Sequence, residues 1–139
     1  MIIFALNPKQ SNPNKFMARH NAVGKWGETL AAEYLAGKGY AIVARNWKLR
    51  HFEIDIIAMH NNRLVFVEVK TRTDADDDPL NAIDRQKILR MTRAADAFVR
   101  NSDFHHEVQF DIIAITGNES NYHLEHIPDA FLPPLQTYR

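Results

Sequence analysis

The sequence predicts an α/β fold in which a mixed β-sheet is flanked by helices. The chain has 139 residues, a size typical of one domain. Hydrophobic residues make up 45% of it and charged residues 24%, which is typical of a globular protein and excludes a mainly disordered chain. Helical and strand-like patterns follow one another in the order helix, three strands, helix, two strands, and strands flanked by helices favour an α/β sandwich.

The chain divides into one domain and two short terminal segments. Residues 1–20 carry three basic residues and no acidic one, which predicts a flexible basic lead-in. A solvated tail and an arm that contacts nucleic acid both fit this composition. We expect residues 21–131 to form a single domain and residues 132–139 to form a C-terminal tail.

The first half of the domain reads as one helix and three strands. An apolar stripe with helical spacing predicts a helix over 22–37, which Gly37 and Gly39 end. The stripe consists of Val23, Gly27, Leu30, Ala31, Tyr34 and Leu35. Strand-like runs cover 40–45, 49–59 and 64–71. Asn61 and Asn62, between the last two runs, are residues typical of a tight hairpin turn.

The second half begins with an acidic loop over 73–79 that contains four aspartates. A solvated loop, a loop that repels phosphate and a loop that holds a second cation all fit it. A helix is predicted over 80–100, and two strands over 107–116 and 121–127 that are joined by a turn at 117–118. The predicted buried stripe of the second helix consists of Ile88, Met91, Ala95, Phe98 and Val99.

Composition also excludes several kinds of chemistry. The chain has no cysteine, so disulfides, thiolate metal sites and cysteine nucleophiles are excluded. No run approaches the roughly 18 apolar residues of a membrane helix, and we expect a cytoplasmic protein that does not bind membranes. The formal net charge is zero, so a case for nucleic-acid binding must rest on local patches.

Ionisable residues gather on one side of the predicted central hairpin. Asp55 and Glu68 are equally far from the two-residue turn, so they are predicted to oppose each other with Cβ atoms about 4.5–5.5 Å apart. Lys70 follows on the same face, where the same register places it opposite Glu53. Four ionisable groups are therefore predicted to share one patch.

Opposed like charges destabilise a sheet, and a divalent cation such as Mg²⁺ or Mn²⁺ is a natural compensation for the pair Asp55 and Glu68. Lys70 would then orient an attacking water or accept its proton, which is chemistry suited to phosphodiester hydrolysis. Glu28 lies on the shoulder of the first helix's apolar stripe and adds a third carboxylate. A second explanation is that these ionisable residues form exposed ion pairs on a solvated face of the sheet, where polar residues ordinarily alternate with apolar ones.

A local basic stripe lies on the second helix, where Arg90, Arg93 and Arg100 cluster and Lys87 and Arg85 extend the stripe. Phosphate binding and an ordinary solvated helix face both fit this pattern.

Other chemically versatile residues have a simpler interpretation. Trp26 and Trp47 fit either a core position or stacking on unpaired bases, with the core favoured. Asp111 is expected to be a buried, hydrogen-bonded strand residue. The histidines lack metal-like spacing, so no role is assigned to them.

Several motifs together resemble a known family. Glu53-Ile54-Asp55, twelve residues and then Glu68-Val69-Lys70 resemble the PD-D/E-x-K nuclease signature. Together with the segments 24–28, 46–47, 66–72 and 109–111, they closely resemble the uncharacterised bacterial YraN family over roughly residues 20–131. That family is similar to archaeal Holliday-junction resolvases, and the resemblance implies the restriction-endonuclease-like fold. The chain departs from the usual pattern at Ile54, where the signature has Pro, and at Phe52, where the family usually has Gly.

The resemblance implies a role for each site residue. Asp55 and Glu68 correspond to the metal ligands, with the Val69 carbonyl as a further ligand, Lys70 to the catalytic lysine and Glu28 to a helix-borne acid. The candidate nucleic-acid-binding residues are Lys87, Arg90, Arg93 and Arg72. Resolvase-like relatives work as dimers, which implies a homodimer here.

The sequence therefore predicts a nuclease that uses Mg²⁺ or Mn²⁺ to cleave DNA, with branched or structured DNA as a suitable substrate. Two alternatives stay open at this point. One is a non-catalytic nucleic-acid-binding or scaffolding module that retains the nuclease fold, and the other is an RNA-specific nuclease with the same site chemistry.

Overall fold

The computed structural model describes residues 13–73 and 78–133, and these form two helices, five strands and a single 3₁₀ turn. The elements in chain order are α1 (Pro13–Gly37), β1 (Ala41–Leu49), β2 (Phe52–His60), β3 (Arg63–Arg72), the 3₁₀ turn (Pro79–Ala82), α2 (Arg85–Arg100), β4 (Glu107–Asn118) and β5 (Asn121–Ile127). The predicted α/β class and the predicted order of helices and strands are confirmed.

The helix boundaries differ from those predicted. Helix α1 begins at Pro13, nine residues before the predicted start at 22, because the helix continues beyond the apolar stripe from which it was predicted. Residues 1–12 of the predicted lead-in lie outside the described residues. Helix α2 begins at Arg85, because Asp84 caps it by accepting a hydrogen bond from the Lys87 N–H at 2.8 Å.

The strand boundaries also differ. Strand β1 continues to Leu49 through Asn46, which has a φ of 50° that asparagine tolerates better than most residues. The turn after β4 lies at 119–120 and not at the predicted 117–118. The side-chain oxygen of Asn118 accepts hydrogen bonds from the N–H groups of Ser120 and Asn121, which is a typical asparagine-initiated turn.

The five strands form one mixed sheet in the order β1-β2-β3-β4-β5. Neighbouring strands are antiparallel except for β3 and β4, which are parallel and are connected through α2. Parallel neighbours need a crossover of this kind, and the crossover carries α2 to the face of the sheet on which Phe66 lies.

Each face of the sheet packs on one helix. Ala31 and Leu35 of α1 are fully buried against Val65 and Val67 on one face. On the other face, Met91, Ala95 and Phe98 of the predicted α2 stripe are buried, and Ile88 and Val99 of that stripe are partly buried. Trp26 and Trp47 each pack against one of these two cores, which confirms the core interpretation of both residues.

No helix in the described part of the chain is long and apolar enough to cross a membrane.

Candidate functional site

The central hairpin has the predicted register near its turn. Strands β2 and β3 pair from His60↔Arg63 to Ile56↔Val67, as the predicted register requires. Asn61 and Asn62 have φ values of 49° and 62°, and two consecutive left-handed residues are what a type I′ turn needs. The tight turn therefore sets which residues of the two strands approach each other farther along.

The ladder between β2 and β3 ends one pair before Asp55 and Glu68. The two carboxylates are therefore not a ladder pair, and their direct opposition stays a prediction. Instead, the backbone N–H of Val69 donates a 2.8 Å hydrogen bond to Oδ2 of Asp55. The predicted pairing of Glu53 with Lys70 is also absent from this ladder. Oε1 of Glu53 instead lies 3.8 Å from Nζ of Lys48 on β1.

The strands part here because the alternation of β2 is interrupted at Asp55. Ile54 and Ile57 pack in the core beside α2, whereas Ile56 packs in the core beside α1. In a regular strand, residues 54 and 56 would share a face. The β1–β2 ladder passes from Arg45↔Ile56 to Trp47↔Ile54, and Asn46 between them has left-handed backbone geometry. The two strands thus change course together, next to Asp55.

A cavity of about 340 Å³ lies where β2 and β3 part, and residues of both helices also line it. Its lining consists of Val23, Gly24, Glu28, Glu53, Asp55, Glu68, Val69, Lys70, Thr71 and Lys87. All four residues predicted to be catalytic, Glu28, Asp55, Glu68 and Lys70, therefore line one cavity.

Helix α1 reaches this cavity through a close contact with β3. A Cβ atom on Gly27 would collide with the side-chain oxygen of Thr71, so glycine is the residue that permits the approach. Glu28 is the next residue along the helix and lines the cavity. The glycine thus determines how near the third carboxylate lies to the first two.

The carboxyl group of Asp55 has a strongly raised pKa. Burial, followed by the negative charges of Glu68 and Glu28, raises the pKa of Asp55 to about 8, against the opposing effects of the Val69 N–H and Lys87. Near neutral pH, Asp55 therefore binds a proton readily unless a positive charge compensates it. A buried carboxyl group with a perturbed pKa, in a cavity, is a typical feature of functional sites.

Lys87 contributes a positive charge from α2. Its Nζ lies 2.5 Å from Oε1 of Glu68, and the two side chains are 29% and 18% exposed. Lys87 was predicted only as a nucleic-acid-binding residue, and the contact with Glu68 was not predicted. The two residues are far apart in sequence and meet because the crossover brings the first turn of α2 to β3.

Lys70 is exposed although it lines the cavity, and three of the predicted nucleic-acid-binding residues lie outside the lining: Arg72, Arg90 and Arg93. Arg72 donates a 3.1 Å hydrogen bond from Nε to the Thr116 hydroxyl. Arg90 and Arg93 are exposed on α2 and follow Lys87 at intervals of three residues, so they extend along the helix from the cavity. Residues 74–77 of the predicted acidic loop lie outside the described residues.

The carboxylates of the cavity suit only some modes of metal binding. Within residues 13–73 and 78–133, no group of three or more His, Asp or Glu side chains is arranged to hold a metal ion. Mg²⁺, however, commonly uses only one or two carboxylates and keeps several waters. The partly buried carboxyl groups of Asp55 and Glu68, with their unfavourable mutual charge, fit this second mode.

A second polar cluster, which the sequence did not reveal, surrounds Asp111. Oδ2 of Asp111 accepts hydrogen bonds from the Tyr40 hydroxyl at 3.2 Å and His126 Nε2 at 2.8 Å, and Oδ1 accepts from Gln109 at 2.8 Å and the Asp129 N–H at 3.0 Å. Burial by itself would raise the pKa of Asp111, but these hydrogen bonds lower it below its usual value. The expectation that Asp111 is buried and hydrogen-bonded is confirmed, and His126, which had no predicted role, proves to be its partner.

Comparisons with known proteins identify a single family. The model of "Uncharacterised protein family UPF0102" matches residues 27–115, which include Glu28, both hairpin carboxylates and Lys87. A UPF0102 protein of Bacteroides fragilis is 47% identical over 120 residues, which cover 86% of this chain and 99% of the relative. A UPF0102 protein of Bacteroides thetaiotaomicron is 48% identical with the same coverage, and one of Flavobacterium psychrophilum is 43% identical over 116 residues, 83% of this chain and 98% of the relative.

Proposed function

The chain belongs to the UPF0102 family, the YraN family that its motifs resemble, and we propose that it is a divalent-metal-dependent endonuclease that hydrolyses DNA phosphodiester bonds. Branched or otherwise structured DNA is the proposed substrate. The observation that carries the proposal is the convergence of Glu28, Asp55, Glu68 and Lys70 on one cavity. Because chromosomal DNA lies in the bacterial cytoplasm, the proposal also places the protein there.

The carboxylates supply the acidic part of the proposed site. Asp55 and Glu68 would hold Mg²⁺ or Mn²⁺, with Glu28 near enough to contribute through the electrostatics of the same cavity. A bound cation of this kind would stabilise negative charge on the phosphate that reacts. The Val69 N–H keeps the carboxyl group of Asp55 oriented through its hydrogen bond to Oδ2.

Basic residues supply the other part of the proposed site. In the proposal, the exposed Lys70 orients the attacking water or accepts its proton, because its Nζ can be brought to a phosphate that lies over the carboxylates. The exposed Arg90 and Arg93, with Arg72 at the end of β3, would bind phosphates that flank the one being cut. A homodimer would allow two strands of a junction to be cut symmetrically.

The proposal is tested by a cleavage assay on labelled linear, flapped and four-way-junction DNA with Mg²⁺, Mn²⁺ or EDTA. Cleavage in either metal is expected for the wild type and is expected to fall at least a hundredfold in Lys70→Ala. Lys38→Ala is the matched control, because Lys38 is an exposed lysine just beyond the far end of α1. Cleavage that persists in EDTA, or that survives in Lys70→Ala, would contradict the proposed mechanism.

A second candidate function is a nucleic-acid-binding or scaffolding module without catalytic activity. The ion pair between Lys87 and Glu68 favours this alternative, because it already compensates one of the two carboxylates without a metal. Such a module would bind DNA with a steep salt dependence in EDTA and would cleave nothing in any metal. Parallel assays with RNA of the same sequence would identify an RNA-specific enzyme, and sedimentation equilibrium would show whether the protein is a dimer.

A further inference from the structure

We propose that Lys87 is a displaceable counter-ion: it neutralises the hairpin carboxylates until a divalent cation binds, and it then turns to the phosphate of the substrate. The proposal deepens the proposed function and rests on its metal site. It assigns to Lys87 a positioning role that is separate from the proton transfer proposed for Lys70.

The first support is the contact between Lys87 and Glu68. With only 2.5 Å between Nζ and Oε1, and with both side chains mostly buried, the contact is a partly desolvated ion pair. Removing one partner from such a pair leaves a poorly solvated charge, so the pair is favoured as long as nothing replaces the lysine. Lys87 also opposes the effect of Glu68 on Asp55, so its charge acts on both carboxyl groups.

The second support is the difference between the two lysines of the cavity. Lys70 is exposed and, within the described parts of the chain, takes part in no ion pair, whereas Lys87 is in direct contact with a carboxylate. The positive charge that compensates Glu68 in this structure therefore comes from Lys87 on α2 and not from Lys70 on the strand that carries Glu68.

The third support is that Lys87 contacts Oε1 of Glu68, one of the two oxygens through which Glu68 would bind a metal ion. Mg²⁺ binds carboxylate oxygens at about 2.0–2.1 Å. An ammonium 2.5 Å from Oε1 occupies the space in which a cation bound to that oxygen would lie. The backbone of Lys87 is held by the Asp84 cap, but its four-carbon side chain is flexible, so the ammonium can leave Glu68 while α2 stays in place.

Displacement would also give the ammonium a new partner. The released Nζ remains at the cavity, where it has three N–H donors and where a phosphate bound over the carboxylates would lie. Binding of the metal and binding of the phosphate would thus be coupled through a single side chain.

The test measures Mn²⁺ affinity by isothermal titration calorimetry on the full chain. Lys87→Gln removes the competing charge and is expected to bind Mn²⁺ about tenfold more tightly than the wild type, the effect of one nearby unit charge in a half-buried cavity. Lys87→Arg keeps the charge and is expected to resemble the wild type. Arg100→Gln is the matched control, because it removes the same charge from the same helix about 20 Å away.

A second measurement tests whether the released Lys87 binds a phosphate of the DNA. DNA affinity is measured in Ca²⁺, as a metal that we expect to support binding without cleavage, and in EDTA. Lys87→Gln is expected to weaken DNA binding several-fold in Ca²⁺ and to leave it unchanged in EDTA, where Glu68 holds the lysine. A loss of equal size in both conditions would show a simple phosphate contact and would overturn the displacement.

The outcomes separate this inference from the proposed function. Mn²⁺ affinity that is unchanged or weaker in Lys87→Gln overturns the displacement but leaves the metal site standing. Failure of every protein to bind Mn²⁺ overturns the metal site and the displacement together. Thermal melting checks the fold of each variant. If Lys87→Gln does not fold, Lys87→Met replaces it, because methionine has an uncharged side chain of similar length.

Discussion

The N–H of Val69 and the carboxyl group of Asp55 form a 2.8 Å hydrogen bond just beyond the last ladder pair of β2 and β3. A side chain here takes the place of a backbone acceptor. The strands can therefore separate without leaving the Val69 donor unsatisfied, and the separation opens the cavity beside Glu68. The same bond fixes one oxygen of Asp55 and holds the carboxyl group in a partly buried position.

We expect Asp55→Asn to stabilise the folded protein at alkaline pH. The pKa of Asp55 is raised from its ordinary value to about 8, so folding favours the protonated form, and stability is lost as pH rises from about 4 through 8. Asparagine is neutral and can still accept the Val69 hydrogen bond. The gain is expected to be on the order of 1–3 kcal/mol at pH 9 and close to zero at pH 4.

Urea unfolding in EDTA at the two pH values measures this difference. Asp103→Asn, a change at an exposed aspartate, is the matched control and is expected to have little effect at either pH. An Asp55→Asn protein that is less stable than the wild type at pH 9 would contradict the expectation.

We expect Mg²⁺ or Mn²⁺ to raise the melting temperature of the wild type at pH 7.5. A ligand that binds only the folded state stabilises it by about 2.7 kcal/mol at a hundred times its dissociation constant. Glu68→Gln is expected to lose most of this effect, because it removes a proposed ligand. Thermal melting with a series of metal concentrations measures the shift, and equal shifts in both proteins would place the bound metal elsewhere.

Gly27→Ala is expected to destabilise the protein by about 1–3 kcal/mol, because the new methyl group collides with the Thr71 side-chain oxygen. Gly24→Ala in the same helix is the control: a Cβ there meets nothing within 4 Å, so the change should stabilise α1 by about 0.5–1 kcal/mol.

Chemical denaturation of the two variants compares their free energies of unfolding. Adding Thr71→Ala to Gly27→Ala removes the colliding oxygen and should restore part of the loss. A double variant no more stable than Gly27→Ala alone would show that another contact limits the approach of α1 to β3.

Asp111→Asn is expected to destabilise the protein by about 2–4 kcal/mol at pH 7. Four donors point at the two oxygens of Asp111, and the amide group of asparagine would replace one acceptor with a further donor. Because the pKa of Asp111 is lowered in the folded state, its contribution is present above about pH 4 and is lost as pH falls through the folded-state value.

Unfolding free energies at pH 7 and pH 3 measure this contribution, and the difference between wild type and variant should narrow at the lower pH. A difference that is the same at both pH values would mean that the charge of Asp111 is not what stabilises the cluster.

The sequence by itself determined the features that depend on neighbouring residues. The order of helices and strands follows from the spacing of apolar side chains, and the register of the central hairpin follows from the turn at Asn61 and Asn62. These two features suffice to place Asp55, Glu68 and Lys70 near one another, and all three line one cavity. Helix amphipathicity likewise predicted the buried stripe of α2.

Only the tertiary structure decided the features that join distant parts of the chain. The contact of Lys87 with Glu68 depends on where the crossover sets α2, and the hydrogen bonds of Tyr40 and His126 to Asp111 join residues from opposite ends of the domain. The end of the ladder at Asp55 depends on the course of β1 at Asn46. Periodicity describes which face a residue takes within its own element, whereas the distance between two elements is set by packing, and the carboxylates' surroundings are a product of that packing.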